Sequence, residues 1–121
     1  MDRRRVDAVL ADILDAVAAA AELVARGKPA WDEDRLLRLA GEAIIGRVAD
    51  AAGRLPEDVM FAAGDVPWDD LRDIRILVDH IYHRIDYEIL WRTLTEDLPH
   101  LQSCLMDVNV RIESSDPAEG R

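Results

Sequence analysis

A chain of 121 residues with 25 Asp and Glu against 15 Lys and Arg, a net charge of −10, has the length of one domain that buries a core of its own. Its single cysteine, Cys104, excludes an intrachain disulfide framework and a cysteine-built zinc site, and it fits a reducing cytoplasm. No stretch approaches the roughly 18 apolar residues that cross a bilayer, and the acidic total argues against a broad nucleic-acid-binding face, which is ordinarily basic.

Ala, Leu, Arg, Glu and Asp dominate and strand formers are sparse, so helix is expected throughout. The first helix is expected from about Asp2 to Arg26. Arg3, Arg4 and Arg5 resemble the start of a signal sequence, but Asp7, Asp12 and Asp15 leave no continuous apolar run after them. Val6, Val9, Leu10, Ile13, Leu14, Val17, Ala20, Ala21 and Val24 instead form one apolar stripe. Gly27 and Pro29 end that helix.

Asp32 or a neighbour caps a second helix to about Gly53, with Leu36, Leu37, Ala40, Ile44, Val48 and Ala51 directed inward. Gly41 and Gly46 lie inside it, each at a cost of about 1 kcal/mol, and are tolerable where another backbone comes close. A connector from Leu55 to Asp65 contains a short helical turn at Glu57 to Ala62. Pro67 suits the first position of a third helix, Trp68 to about Tyr82, with Ile74, Leu77, Val78 and Ile81 on its core side.

Asp86 caps a fourth helix carrying Ile89, Leu90, Leu94 and Leu98, which Pro99 either kinks or restarts. His100 to Ile112 continues the bundle. The polar stretch 113–121 is expected to be a disordered tail behind a domain of residues 1–112. The sum is an all-α, antiparallel four- to five-helix bundle.

The third helix carries the chemistry. Arg75, His80 and Tyr82 form an R-x-x-x-x-H-x-Y string. A guanidinium holds a phosphate and stabilises charge developing on it, an imidazole moves protons near neutral pH, and a phenol donates, accepts or is modified. This set suits metal-free cleavage of a phosphodiester. On a straight helix at about 100° per residue, Arg75 and Tyr82 fall about 20° apart, whereas His80 points about 140° away from Arg75. Either the helix frays near His80 or the two groups flank a wide cleft closed by another element or subunit.

The plainer alternative is an Arg75–Asp79 pair four residues apart beside a surface His80. His80 and His83 with Asp79 or Asp86 are a weaker metal-binding alternative, since no matching pair recurs on a second helix. Cys104 lies among Leu101 and Leu105 and suits core packing. Trp31, Trp68 and Trp91 suit core or interface anchoring better than base stacking.

Val66-Pro67-Trp68, then Arg75, His80-x-Tyr82, Ile85-Asp86, Trp91 and Asp97-Leu98-Pro99 together resemble the HepT-like toxins of the HEPN superfamily. Arg38-Leu39-Ala40-Gly41-Glu42-Ala43 resembles that family's second helix. The resemblance implies a HEPN-like, homodimeric helical bundle whose two motif copies face each other at the subunit cleft. It implies a cytoplasmic, metal-independent endoribonuclease, needing no cofactor, that acts on RNA as the toxin of a prokaryotic toxin–antitoxin pair. Its partner would be an MntA-like minimal nucleotidyltransferase that adenylylates the motif tyrosine.

By position, Arg75 and His80 take the catalytic places and Tyr82 the modified one; Arg72, Glu42 and Asp79, the last an unusual neighbour for the motif histidine, are candidates for support. One departure stands out. The family commonly has a polar residue, often Asn, after the motif arginine, and this chain has Ile76. That departure and the acidic surround favour a rival expectation, a catalytically weak binding module for a nucleotidyltransferase.

Overall fold

A computed structural model of the chain describes residues 3–62, 68–69 and 86–114. Every element among them is helical: α1 (Arg3–Val24), α2 (Lys28–Glu33), α3 (Arg35–Ala52), α4 (Glu57–Ala62), α5 (Tyr87–Arg92), a π-helical turn (Thr93–Asp97) and α6 (Leu98–Ser114). The all-α class expected from composition is what forms. No described helix is long and apolar enough to cross a membrane.

Helix α1 follows its apolar stripe. Val6, Val9, Leu10, Ile13, Val17 and Ala20 are buried, as expected, with Ala16 and Leu23 completing the face. Ala21, expected inward, is exposed, because the buried stripe turns toward Leu23 at that end. Gly27 ends the run. Its φ of +90° is a conformation that L side chains rarely adopt, and its N–H donates to the Val24 carbonyl at 2.9 Å.

Gly27 also opens α2, a short helix absent from the sequence-based expectation. Pro29 falls in its first turn, where a missing N–H costs nothing, so proline begins an element here as well as ending one. The cap of α3, expected at Asp32 or a neighbour, is Asp34. Its carboxylate accepts from the Leu36 N–H at 2.9 Å, and its own N–H closes α2 on the Ala30 carbonyl at 2.8 Å.

Helix α3 buries much of the expected face: Val48 and Ala51 are buried, and Leu37 and Ile44 pack half-buried against the core. Gly41, Ile45, Ala49 and Ala52 are buried as well, whereas Leu36 is 70% exposed and Ala40 is exposed. The core register runs through Gly41, a position with no side chain to mark it. Gly41 admits an indole rather than a backbone: a Cβ there would lie 2.6 Å from the Trp31 ring and 3.1 Å from Leu94. A Cβ at Gly46 would meet nothing within 4 Å.

Helix α4 occupies its expected residues. Asp86 caps α5 as expected, accepting from the N–H groups of Glu88 at 2.9 Å and Ile89 at 3.4 Å. Pro99 falls in the first turn of α6, which begins at Leu98, close to the expected restart. The turn before it widens, so that the Leu98 N–H reaches the Thr93 carbonyl five residues back. The Thr93 and Thr95 hydroxyls donate to the carbonyls of Ile89 (3.1 Å) and Arg92 (3.3 Å). Widening makes room for a ring that would otherwise meet the preceding turn. Helix α6 continues to Ser114, two residues past the expected domain end, and residues 115–121 lie outside the described ones.

The core lies between α1, α3 and the α5–α6 arm, with Trp31, Ile13, Ile45, Leu90, Leu94, Leu98, Leu101 and Leu105 almost wholly buried. Each side chain of this size contributes about 1.5–3 kcal/mol by leaving water. Surface ion pairs such as Arg54–Asp12 at 3.6 Å, both ends half in solvent, add little.

Candidate functional site

Arg72, Arg75, Asp79, His80 and Tyr82 lie outside the described residues. What is described is the pair of anchors from which that segment departs. Upstream, Trp68 is half-buried, and its Nε1 donates to the Met60 carbonyl at 3.2 Å. Downstream, Asp86 and Tyr87 begin α5. Covalent geometry limits the reach: Tyr82 is four residues before Asp86, within about 14 Å of it, and His80 within about 21 Å.

The downstream anchor is a polar and aromatic cluster built from three elements. Glu42, expected as a supporting residue, is half-buried on α3 and accepts a hydrogen bond from the Tyr87 hydroxyl at 2.9 Å. Arg38, one turn earlier on α3, lies over the Tyr87 ring with its guanidinium carbon 5.4 Å from the centroid. Its Nη1 donates to the carbonyls of Trp31 at 3.0 Å and Asp32 at 2.7 Å, placing a cation on the last turn of α2.

Trp31 meets Tyr87 edge to face at 6.0 Å and Trp91 at a 39° tilt at 5.4 Å, and its Nε1 donates to the Tyr87 carbonyl at 3.2 Å. Lys28 bridges Asp32 at 2.8 Å and Glu88 at 2.7 Å, joining α2 to the first turn of α5.

Two groups here titrate away from their ordinary values. The Tyr87 phenol is protonated at neutral pH, as an ordinary phenol is; burial pushes its pKa up, and the hydrogen bond to Glu42 pushes it further. The carboxylates of Asp32 and then Glu88 raise Lys28, which stays charged. Asp86, a candidate in the weaker metal-binding alternative, accepts two backbone N–H groups as a helix cap. No group of three metal-ligating side chains occurs among the described residues. Cys104 is half-buried against the core, with its Sγ 3.7 Å from His100 Nε2.

Tyr87, Arg38 and Trp31 were not marked as site residues by sequence alone. Glu42 was marked by resemblance only. A faint signal existed for Tyr87, one of two tyrosines in the chain, directly after the Asp86 cap. Its partner is 45 residues away, so no local pattern reveals the bond.

A family model described as "Ribonuclease HepT-like" matches residues 13–108. A "Probable ribonuclease HepT" of Thermococcus cleftensis is 29% identical over 55 residues, which is 46% of this chain and half the length of that protein. "Putative RNase MJ1380" of Methanocaldococcus jannaschii is 26% identical over 103 residues, 84% of this chain and 94% of that one. "Putative RNase TTE0752" of Caldanaerobacter subterraneus is 25% identical over 61 residues, about half of each chain. No solved structure matches.

Proposed function

This chain belongs to the ribonuclease HepT-like family, and from that premise we propose that it is a metal-independent endoribonuclease, the cytoplasmic toxin of a toxin–antitoxin pair. The observation that carries the proposal is that the family match, residues 13–108, encloses the whole R-x-x-x-x-H-x-Y string from Arg75 to Tyr82. The names of the three relatives point to the same class of activity.

The chemistry follows from the side chains. The 2′-hydroxyl of RNA attacks the adjacent phosphorus, and the 5′-oxygen of the next nucleotide leaves. His80 moves the proton at the attacking or departing oxygen, and Arg75 stabilises the extra charge on the phosphoryl oxygens. The products are a 2′,3′-cyclic phosphate end and a free 5′-hydroxyl. The site is completed between two copies of the chain, and a minimal nucleotidyltransferase silences it by adenylylating Tyr82.

A second reading is favoured by Ile76, which puts an apolar side chain directly after the motif arginine, and by the net charge of −10. It makes the chain a weak catalyst whose main role is to bind that nucleotidyltransferase. Incubating purified protein with RNA, with and without EDTA, separates the two. Cleavage that survives EDTA and disappears in His80→Ala or Arg75→Ala, with helical circular dichroism unchanged, supports the nuclease. Losing a proton shuttle or a phosphate-stabilising cation is expected to slow cleavage by about two to three decades. An intact substrate with wild-type protein favours the binding module.

A further inference from the structure

We propose that Glu42 and Tyr87 are positioning residues for the motif, and that the hydrogen bond between them fixes the point at which the motif segment joins α5. The inference rests on the reading of Arg75 and His80 as the cleaving pair, and assigns that reaction residues lying outside its string.

Several observations converge on this bond. It joins α3 to the first residue of α5 across 45 positions of sequence, at 2.9 Å. It stands directly after Asp86, and the chain cannot carry Tyr82 more than about 14 Å from Asp86. A shift of Tyr87 therefore moves the point from which the motif segment is tethered.

The hydroxyl is not needed to fill space. The Tyr87 ring already packs edge to face on Trp31 and lies under Arg38. A phenylalanine would keep both contacts. What the hydroxyl adds is direction, because it admits only ring orientations that meet the Glu42 carboxylate. Arg38 is itself held by two carbonyls of α2, so its face of the ring is fixed too. The phenol is protonated at neutral pH, as an ordinary phenol is, and burial and then Glu42 raise its pKa further, so the bond persists where cleavage would operate.

A displacement of about 1 Å between reacting groups costs on the order of a hundredfold in rate. A bond that removes part of that freedom acts on turnover and leaves substrate affinity alone. This differs from a residue that holds RNA, whose loss raises KM.

The test is single-turnover and steady-state RNA cleavage by the full chain, with thermal melts in parallel. Tyr87→Phe is expected to lower kcat by about tenfold, a modest share of that positional cost, and to leave KM within about twofold. Glu42→Leu is expected to do the same, and the double variant to fall no further than either single one, because both changes remove one bond. Glu42→Gln, whose amide oxygen still accepts, is expected to restore most of the turnover.

Wild-type kcat in Tyr87→Phe overturns the proposal. So does a fall that appears only in KM, or one that matches a loss of folded protein in the melts. Should Glu42→Leu fail to fold, Tyr87→Phe still decides, since it removes a single oxygen. The parent reading is judged separately by His80→Ala. If that variant cleaves normally, the motif assignment and this inference fall together. If it is inactive while Tyr87→Phe is unimpaired, only the positioning role falls.

Discussion

The indole of Trp31 occupies the space that a side chain at Gly41 would take, with a ring carbon 2.6 Å from where a Cβ would stand. Trp31 is wholly buried, donates to the Tyr87 carbonyl and packs on Trp91, so the ring has little freedom to retreat. Gly41→Ala is therefore expected to destabilise the protein by about 1–3 kcal/mol, as overpacking does. Gly46 lies in the same helix with open space around it, and Gly46→Ala is expected to stabilise by up to about 1 kcal/mol through helix propensity. Urea or thermal melts of the two variants check the opposite signs. A neutral Gly41→Ala would show that the indole moves aside.

The same pair explains where sequence reasoning succeeded and where it failed. Helix α1 was legible because branched and leucine side chains mark its core face from Val6 to Val17. The Asp86 cap and the α4 turn were legible from local chemistry. On helix α3, Leu37, Ile44, Val48 and Ala51 were legible, but the core face also passes through Gly41, which has no side chain to mark it, and Leu36 and Ala40 fall outside it. Helix α2 was hidden because Pro29 reads equally as a terminator and as a first-turn residue. The R-x-x-x-x-H-x-Y string lies outside the described residues, and its role stays with the proposed function. Its anchor, Glu42 with Tyr87 and Arg38, depends on contacts between helices far apart in sequence, which periodicity does not encode.

Tyr87 gives the cluster a pH signature. Burial and then the Glu42 hydrogen bond raise its folded pKa above the ordinary phenol value. The unfolded phenol titrates near about pH 10. A folded pKa above the unfolded one favours the protonated form, so the stability it contributes is present in full below that pH and is lost as pH rises through the folded value. Ultraviolet titration of Tyr82→Phe, which leaves one tyrosine, is expected to show a midpoint above the ordinary value. Glu42→Leu on that background is expected to lower the midpoint only partly, because burial is the larger cause. A midpoint at or below the free phenol value would contradict the buried hydrogen bond.

Assembly is the next expectation. On a straight helix Arg75 and His80 point about 140° apart, which suits a site completed by a second chain better than one closed within a single helix. Light scattering at micromolar concentration is expected to report twice the 13.6 kDa chain mass. Mixing inactive His80→Ala with inactive Arg75→Ala chains tests the shared cleft directly. If each site draws its Arg and His from different subunits, the mixed dimer regains one intact site and some cleavage returns. A monomer by scattering would remove the basis for a shared site.

Regulation at Tyr82 is an expectation that rests on the proposed function. Tyr82 projects about 20° from Arg75, so on a continuous helix its hydroxyl faces the same side as the guanidinium. Transfer of AMP from ATP joins the phenol oxygen to the α-phosphorus and releases pyrophosphate. The new phosphodiester brings a negative charge within reach of Arg75, and the adenosine adds bulk where substrate would enter. Neutralisation then needs no unfolding, and the melt of the modified protein is expected to stay close to that of the unmodified one. Intact mass after co-expression with the cognate nucleotidyltransferase is expected to rise by whole AMP units, with peptide mapping to Tyr82. Tyr82→Phe is expected to keep the fold and escape silencing. Tyr87 supplies the internal control, because its hydroxyl is already bonded to Glu42 and is expected to carry no AMP. Wild-type protein that is fully silenced without any added mass would exclude covalent control and leave steric masking by the partner as the mechanism.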